Sequence, residues 1–181
     1  MFGQWLAKVV TFIDKVNEIL GRLIAWLTLV IVLLTFLVVV LRYGFNIGSI
    51  ALQESVLYAH ATIFMLGAAY TLKHNGHVRV DVFYHRCSEK TQAWINLFGT
   101  VFLLLPVMIF MAWISSDFIS ASWNIMEKSR EPGGLPFVYL NKSLIYALAF
   151  TMSLQGIAEV CRNVLILQGK LDVKHEEMEQ V

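Results

Sequence analysis

Charged residues are scarce in this sequence, and they are unevenly distributed. Only 15 % of the 181 residues are Asp, Glu, Lys or Arg, whereas soluble domains contain about 25 %. Hydrophobic residues make up 57 %, and the charges crowd into short segments between long uncharged runs. This distribution excludes an ordinary soluble domain and favours an integral membrane protein.

Cysteine is also rare, and the positive and negative charges nearly cancel. The two cysteines, Cys87 and Cys161, are far apart and form no Cys-x-x-Cys motif. A disulfide framework is therefore excluded, and we expect reduced thiols. The formal net charge is +1, so no overall positive field favours nucleic acid as a partner.

The sequence lacks the motifs of enzymes and cofactor sites, such as Gly-x-Ser-x-Gly or a P-loop. His60 is the only histidine inside a hydrophobic run, whereas a haem held by two histidines needs both at similar depth. We interpret it as a helix contact. His74, His77 and Asp81 have suggestive spacing, but an Asn-Gly turn breaks the helix that would align them on a metal. We therefore predict no catalytic residues, no metal and no cofactor.

Four hydrophobic runs are long enough to cross a bilayer core about 30 Å thick as helices. They cover about residues 23–41, 55–72, 91–116 and 143–160. Backbone groups in lipid must bond within their own segment, so each run should be helical. The first run is too long for the core of a signal peptide and should be retained. The sequence thus predicts an all-α integral membrane protein, with four transmembrane helices in an antiparallel bundle over residues 23–165.

Two further segments flank this membrane domain. Residues 1–22 alternate between an apolar and a polar face at helical spacing, which predicts an amphipathic interfacial helix. Its apolar face would lie in the headgroup region or pack on a partner. That face consists of Phe2, Trp5, Val9, Phe12, Ile13, Val16 and Leu20. Residues 166–181 predict a charged, frayed tail.

The distribution of positive charge predicts the orientation. Of the 14 Lys and Arg residues, 10 lie on the side that holds both termini and 4 on the other side. Short connections rich in Lys and Arg stay in the cytoplasm. Both termini are therefore expected in the cytoplasm.

Small and polar residues in the runs predict helix packing. Gly67 and Gly99 would let neighbouring helices approach closely, and Pro106 should kink the third helix. Ala147, Thr151 and Gln155 form a stripe at steps of four residues. Such a stripe forms either a helix contact or a solute-lining face.

The most specific motif follows the second run. Residues 66–81 read LGAAYTLKHNGHVRVD, and the segment resembles the signature of the small, DctQ-like membrane subunit of tripartite ATP-independent periplasmic (TRAP) transporters. Members of that family are similar in ending the first span with Arg-Tyr, here at Arg42, and in opening the second with an acidic residue, here Glu54. A Gly-Leu-Pro in the outer loop, here residues 134–136, is also similar. The resemblance covers about residues 16–165.

The resemblance implies an accessory subunit of a sodium-coupled, binding-protein-dependent transporter for organic anions (carboxylates) in the bacterial inner membrane. Its partners would be a large membrane subunit with the substrate and sodium sites, a periplasmic substrate-binding protein and membrane lipid. The chain would scaffold the large subunit and help the binding protein to dock. The charged tail ending at Val181 suggests that the large subunit is a separate chain. The transported substrate stays open.

Under this resemblance, residues of the outer side become candidates for a partner interface. Arg42 and Glu54 are expected at the periplasmic surface, where they pair with each other, touch the binding protein or only anchor the helices. The loop with Gly133, Gly134 and Pro136 is a candidate docking surface, or simply a flexible loop.

The other candidates lie in the connection after the second run and in the spans. His77, Arg79 and Asp81 would fix that connection to the large subunit or to lipid phosphate, or form a local turn network. The remaining candidate interface residues are Gly67, Thr151 and Gln155.

Two other functions remain as alternatives. A self-sufficient oligomeric transporter or channel would need a polar lining, which only Asn96, Thr151 and Gln155 could supply. A membrane-bound haem protein would need a second histidine at the depth of His60.

Overall fold

A computed structural model describes residues 2–78, 84 and 86–170 of the chain. Within these ranges the secondary structure is helical, without strands. Four helical stretches, Gly3–Gly44, Ile50–Lys73, Glu89–Asn124 and Val138–Leu167, are long and apolar enough to cross a membrane. The prediction of an all-α protein with four transmembrane helices is therefore confirmed.

The first helix, α1 (Phe2–Gly44), is continuous over 43 residues. At 1.5 Å per residue it is about 65 Å long, which exceeds a whole bilayer with its headgroups. We expected a separate interfacial helix over residues 1–22, but the N-terminal segment and the first span form one long helix that is not clearly amphipathic. The reason is local, since this segment contains no proline and so nothing interrupts the hydrogen bonds of the helix.

The buried face of the N-terminal part of α1 agrees only in part with the predicted apolar face. Leu6 and Val10 are buried and pack against Cys161 and Leu165 of the last helix. Trp5 and Phe12, which belong to the predicted face, are 61 % and 70 % exposed. Ile13 of the predicted face is buried, however, so the segment packs within its own chain through a face that partly overlaps the predicted one.

Helix α2 (Ile50–Lys73) ends in the Asn-Gly turn that the sequence predicts. Asn75 has a φ of 51°, which is the left-handed conformation that Asn tolerates at helix ends. The N–H of Gly76 donates to the carbonyl of Thr71 at 2.8 Å. This bond satisfies one of the last carbonyls of α2 and turns the chain away from the helix axis.

The third stretch is divided into three helices: α3 (Glu89–Gly99), α4 (Leu105–Ile114) and α5 (Ser116–Asn124). A π-helical turn, Thr100–Leu104, joins α3 to α4. Proline has no N–H and its ring collides with the carbonyl four residues earlier, so the distortion predicted at Pro106 takes the form of this wider turn. Gly156 of the last helix lies against it, since an added Cβ would be 3.0 Å from Leu104 and Leu105 side chains.

The last helix, α6 (Val138–Leu167), is the most buried of the four spans. In its most apolar stretch 39 % of the residues are buried, against 6 %, 6 % and 0 % in the other three. It begins five residues before the predicted span and extends to residue 167, because the polar residues at its ends are compatible with a helix. Most of the predicted tail, residues 171–181, lies outside the described residues.

Two compact units can be recognised along the chain. The first contains the described parts of residues 1–18, 69–110 and 150–181. The second contains residues 19–68 and 111–149. We refer to them as the first and the second unit.

Candidate functional site

In the second unit, Glu54 of α2 holds the loop between α5 and α6. One carboxylate oxygen, Oε2, accepts a hydrogen bond from the backbone N–H of Leu135 at 2.6 Å. The other, Oε1, accepts one from the hydroxyl of Ser129. Gly134 lies so close to Ser129 and Glu54 that an added Cβ would collide with both side chains. We call Glu54, Ser129, Gly134 and Leu135 the Glu54 cluster.

The loop that Glu54 holds also has internal hydrogen bonds. The N–H of Ser129 donates to the carbonyl of Leu135, and that of Gly134 donates to the carbonyl of Glu131, both at 3.0 Å. Gly133 has a φ of +79°, a conformation that glycine adopts without strain. Gly133 and Pro136 stay exposed, so a bonded loop presents them at the surface of the chain.

Arg42 and Glu54 have separate surroundings. Arg42 is exposed at the end of α1 and borders a small recess that Ile47, Ser49 and Gln53 also line. Among the described residues Glu54 bonds to the loop and forms no ion pair with Arg42. Of the three roles considered for the pair, mutual pairing is therefore wrong, and contact with a binding protein stays a prediction.

A second polar cluster on the same unit was missed by the sequence analysis. Glu127 accepts hydrogen bonds from Lys142 at 2.5 Å and from the buried hydroxyl of Ser122 at 2.7 Å. The ammonium of Lys142 also lies 4.0 Å from the centre of the Phe118 ring, which is a favourable cation–π geometry. The signal in the sequence that could have indicated this cluster is the position of Lys142 at the charged end of the fourth run.

The Glu127 carboxylate gives this unit a pH dependence. The hydrogen bond from Lys142, and then that from Ser122, hold the pKa of Glu127 below its ordinary value of 4.5. Because the folded chain prefers the ionised form, the pair stabilises the fold above pH 4.5, and this contribution is lost as the pH falls through the lowered pKa. We expect the unfolding midpoint of the wild-type protein to fall below pH 4.5 by more than that of Glu127→Gln.

The measurement is thermal unfolding in detergent between pH 7 and pH 3, with the wild type and Glu127→Gln compared at each pH. Glu131→Gln, which changes an exposed carboxylate of the same loop, serves as the matched control and should follow the wild type. Parallel curves for the wild type and Glu127→Gln would contradict the assigned pairing.

In the first unit, a buried ion-pair cluster joins α1 to α6. The guanidinium of Arg162 donates to Asp14 at 2.6 Å and also to Glu159. Gln155 donates to Asp14 at 3.1 Å and accepts from Asn17 at 2.6 Å. Arg162, Gln155 and Asn17 are all buried. We call these five residues the Arg162 cluster.

This arrangement decides between the two interpretations of the polar stripe on the fourth span, a helix contact or a solute-lining face. Thr151 is 6 % exposed and Gln155 is fully buried. Both side chains are therefore engaged within the chain, as expected for a contact between its own helices. The solute-lining interpretation has no support here, and neither side chain is available at the surface for a partner.

The end of α2 is also fixed to α1 within the first unit. Glu18 accepts hydrogen bonds from Lys73 at 2.7 Å and from the imidazole of His74 at 3.0 Å. The His74 ring lies 4.4 Å from that of Tyr70. His77 is exposed, while Arg79 and Asp81 lie outside the described residues. The predicted roles of these last three residues stay predictions.

The two remaining sequence features concern helix contacts and metal ligands. An added Cβ at Gly67 would meet nothing within 4 Å, so none of the described helices packs closely against this position, and its role at a partner interface stays a prediction. Over the described ranges, no three His, Cys, Asp or Glu side chains are placed to hold a metal ion. The chemistry that these clusters offer is hydrogen bonding and ion pairing between helices and loops.

Comparison with known proteins agrees with the motif in residues 66–81. The family described as tripartite ATP-independent periplasmic transporters, DctQ component, matches residues 31–165, which is well over half of the chain. No solved structure matches the chain.

Two curated relatives are similar over part of their length. The C4-dicarboxylate TRAP transporter small permease protein DctQ of Vibrio cholerae is 33 % identical over 82 residues, which are 45 % of this chain and 34 % of that protein. A protein of Haemophilus influenzae described as a TRAP transporter small permease protein is 35 % identical over 94 residues, which are 52 % of this chain and 56 % of that protein. The matched regions thus span about a third and just over half of these relatives. The chain therefore belongs to the family of the DctQ component of tripartite ATP-independent periplasmic transporters.

Proposed function

We propose that this chain is the accessory small permease subunit of a sodium-coupled, binding-protein-dependent TRAP transporter for organic anions of the carboxylate class. The observation that carries the proposal is the family match over residues 31–165. The Vibrio cholerae relative is named for C4-dicarboxylate transport, which supports carboxylates as the substrate class.

The composition of the spans supports an accessory role. A protein that moves an ion through the bilayer usually places charged side chains along the path. Residues 23–41, 55–72, 91–116 and 143–158 contain no Asp, Glu, Lys or Arg. The polar stripe that could have lined a path is instead buried against α1 through Gln155 and Asn17. Sodium and substrate sites are therefore assigned to a large membrane subunit, which this chain scaffolds.

The orientation follows from the positive charges, with both termini in the cytoplasm of a bacterial inner membrane. The loop between α5 and α6 then faces the periplasm, where a substrate-binding protein would dock. Glu54 bonds this loop at Ser129 and Leu135, so it would present a formed surface, with Gly133 and Pro136 exposed, to that partner. Binding to a formed surface avoids the entropy cost of ordering a loop.

Reconstitution in sealed vesicles tests the proposal. With a sodium gradient, vesicles that hold this chain, the large membrane subunit and the binding protein should accumulate a radiolabelled C4-dicarboxylate. Vesicles with this chain alone should not, because its spans offer no charged path. Accumulation by the chain alone would contradict the accessory role and favour a self-sufficient oligomeric transporter.

A further inference from the structure

Helix α2 combines a low hydrophobicity with a small share of buried residues. It and α6 are the least apolar of the four spans. For α6 this is readily explained, since 39 % of its most apolar stretch is buried inside the chain, but for α2 the buried share is only 6 %. Most side chains of α2 are half-buried, and the few that are exposed would face lipid unless another protein covers them.

The exposed side chains of α2 lie on one face. Gln53, Leu57, His60 and Phe64 follow one another at steps of four, three and four residues, which places them on a single stripe of the helix. All four are exposed, and Leu57 and Phe64 are exposed at 64 % and 66 %. Gly67 continues the stripe, and a Cβ there would meet nothing within 4 Å. We call these five residues the α2 face.

His60 lies on this face inside the second predicted span, residues 55–72. It follows Glu54 by six residues, or about 9 Å at 1.5 Å per residue, which places it within a bilayer core about 30 Å thick. It is the only His, Asp, Glu, Lys or Arg within residues 23–41, 55–72, 91–116 and 143–158. An imidazole has a donor and an acceptor to satisfy, and lipid chains offer neither, so leaving it in lipid is costly.

The other exposed faces have no such requirement. Leu33 and Phe36 of α1 are 59 % and 67 % exposed. Phe98 and Phe102 of the third stretch are also exposed and stack on each other, with ring centres 5.7 Å apart. Thr35 beside Phe36 is also exposed, but a threonine hydroxyl can bond to the backbone of its own helix, so these surfaces suit contact with lipid. The α2 face differs from them by its imidazole and amide side chains.

We infer that the α2 face is the docking surface for a transmembrane helix of the large membrane subunit, which places a hydrogen-bonding side chain opposite His60. The inference rests on the proposed function, which supplies the second membrane protein. Lipid is the wrong occupant because it cannot bond the imidazole. Gly67 lets the partner backbone come close, as small residues do where membrane helices meet.

Photo-crosslinking in membranes that contain the complete transporter tests the assignment. Benzoylphenylalanine replaces Leu57, His60 or Phe64, and the matched controls carry it at Phe36 or Phe102, which are exposed apolar positions of other spans. We expect adducts with the large subunit, identified by mass spectrometry, at least about tenfold more often from the α2 face than from the controls. Adducts only with a second copy of the chain, or only with lipid, would overturn the assignment.

Co-purification of the unmodified chain separates this inference from the proposed function. If the large subunit co-purifies but the α2 face yields no adduct with it, the docking surface is wrong while the accessory role stands. If no large subunit is retained by the unmodified chain, the proposed function itself fails, and the inference fails with it.

The hydrogen bond of His60 is tested by two variants. A single interhelical hydrogen bond in a membrane contributes modestly to association, so His60→Leu should weaken association with the large subunit about threefold. His60→Gln keeps a donor and an acceptor and should bind nearly as well as the wild type. Equal association of both variants would exclude a partner side chain bonded to His60.

Discussion

Replacing Arg162 by leucine should lower the free energy of unfolding by about 3–5 kcal/mol, the usual cost of removing one partner from a buried ion pair. The side chain of Arg162 is 7 % exposed, and its partners Asp14 and Glu159 are 18 % and 13 % exposed. Leucine would leave two carboxylates close together and shielded from water, with Gln155 still donating to Asp14 at 3.1 Å and to Glu159 at 3.4 Å. The N-terminal part of α1 should therefore detach from α6 most easily in this variant.

Unfolding in mixed detergent micelles, followed by circular dichroism, measures this effect. Lys15→Ala removes an exposed charge from α1 and should change the unfolding free energy by about 0.5 kcal/mol or less. The triple variant Arg162→Leu, Asp14→Asn, Glu159→Gln removes all the buried charges together and should recover most of the loss. An Arg162→Leu midpoint equal to that of Lys15→Ala would show that the cluster contributes little.

Replacing Glu54 by alanine should make the amide of Leu135 exchange with solvent about 10- to 100-fold faster. A hydrogen bond to a charged group contributes about 1.5–3 kcal/mol, and each 1.4 kcal/mol corresponds to a factor of ten. The Leu135 N–H donates directly to Glu54 Oε2 at 2.6 Å, so its protection depends on that carboxylate. Ser129 would lose its partner at the same time, which loosens the opposite side of the loop.

Hydrogen–deuterium exchange with mass spectrometry of the peptide around Leu135 provides the measurement. Glu131→Ala removes an exposed carboxylate from the same loop and should leave the exchange unchanged, because the bonds of Glu131 to the loop are made by its backbone. If Glu54→Ala and Glu131→Ala gave the same exchange, the loop would be held by its own turns and not by α2.

The spans could be predicted from local sequence because the bilayer imposes a local requirement. A segment of about 20 apolar residues must form all its backbone hydrogen bonds internally, as a helix, and four runs are long enough to do so. The helix ends were less predictable, since hydrophobicity marks where lipid ends and not where a helix ends. Residues 2–22 continue α1, and residues 138–142 and 161–167 extend α6, because nothing in those segments breaks a helix.

The candidate site also has features that local sequence predicts and features that it does not. The motif in residues 66–81 indicated the family, and the Asn-Gly turn after α2 was predicted from two residues. The partner of Glu54 was not predictable, because Ser129 and Leu135 are 75 and 81 residues away. The polar stripe with Thr151 and Gln155 could be recognised in the sequence, but the residues of α1 that bond to Gln155 could not be predicted.

The sequence by itself determined that this chain is a membrane protein, how many times it can cross the bilayer and which family it belongs to. These properties depend on uncharged runs of about 20 residues and on one local motif. Only the tertiary structure decided that Asp14 bonds to Arg162 and Glu54 to Leu135, and that His60 is left uncovered. Such pairings depend on which faces of the helices meet, and that is set by packing along the whole chain and not by any one segment.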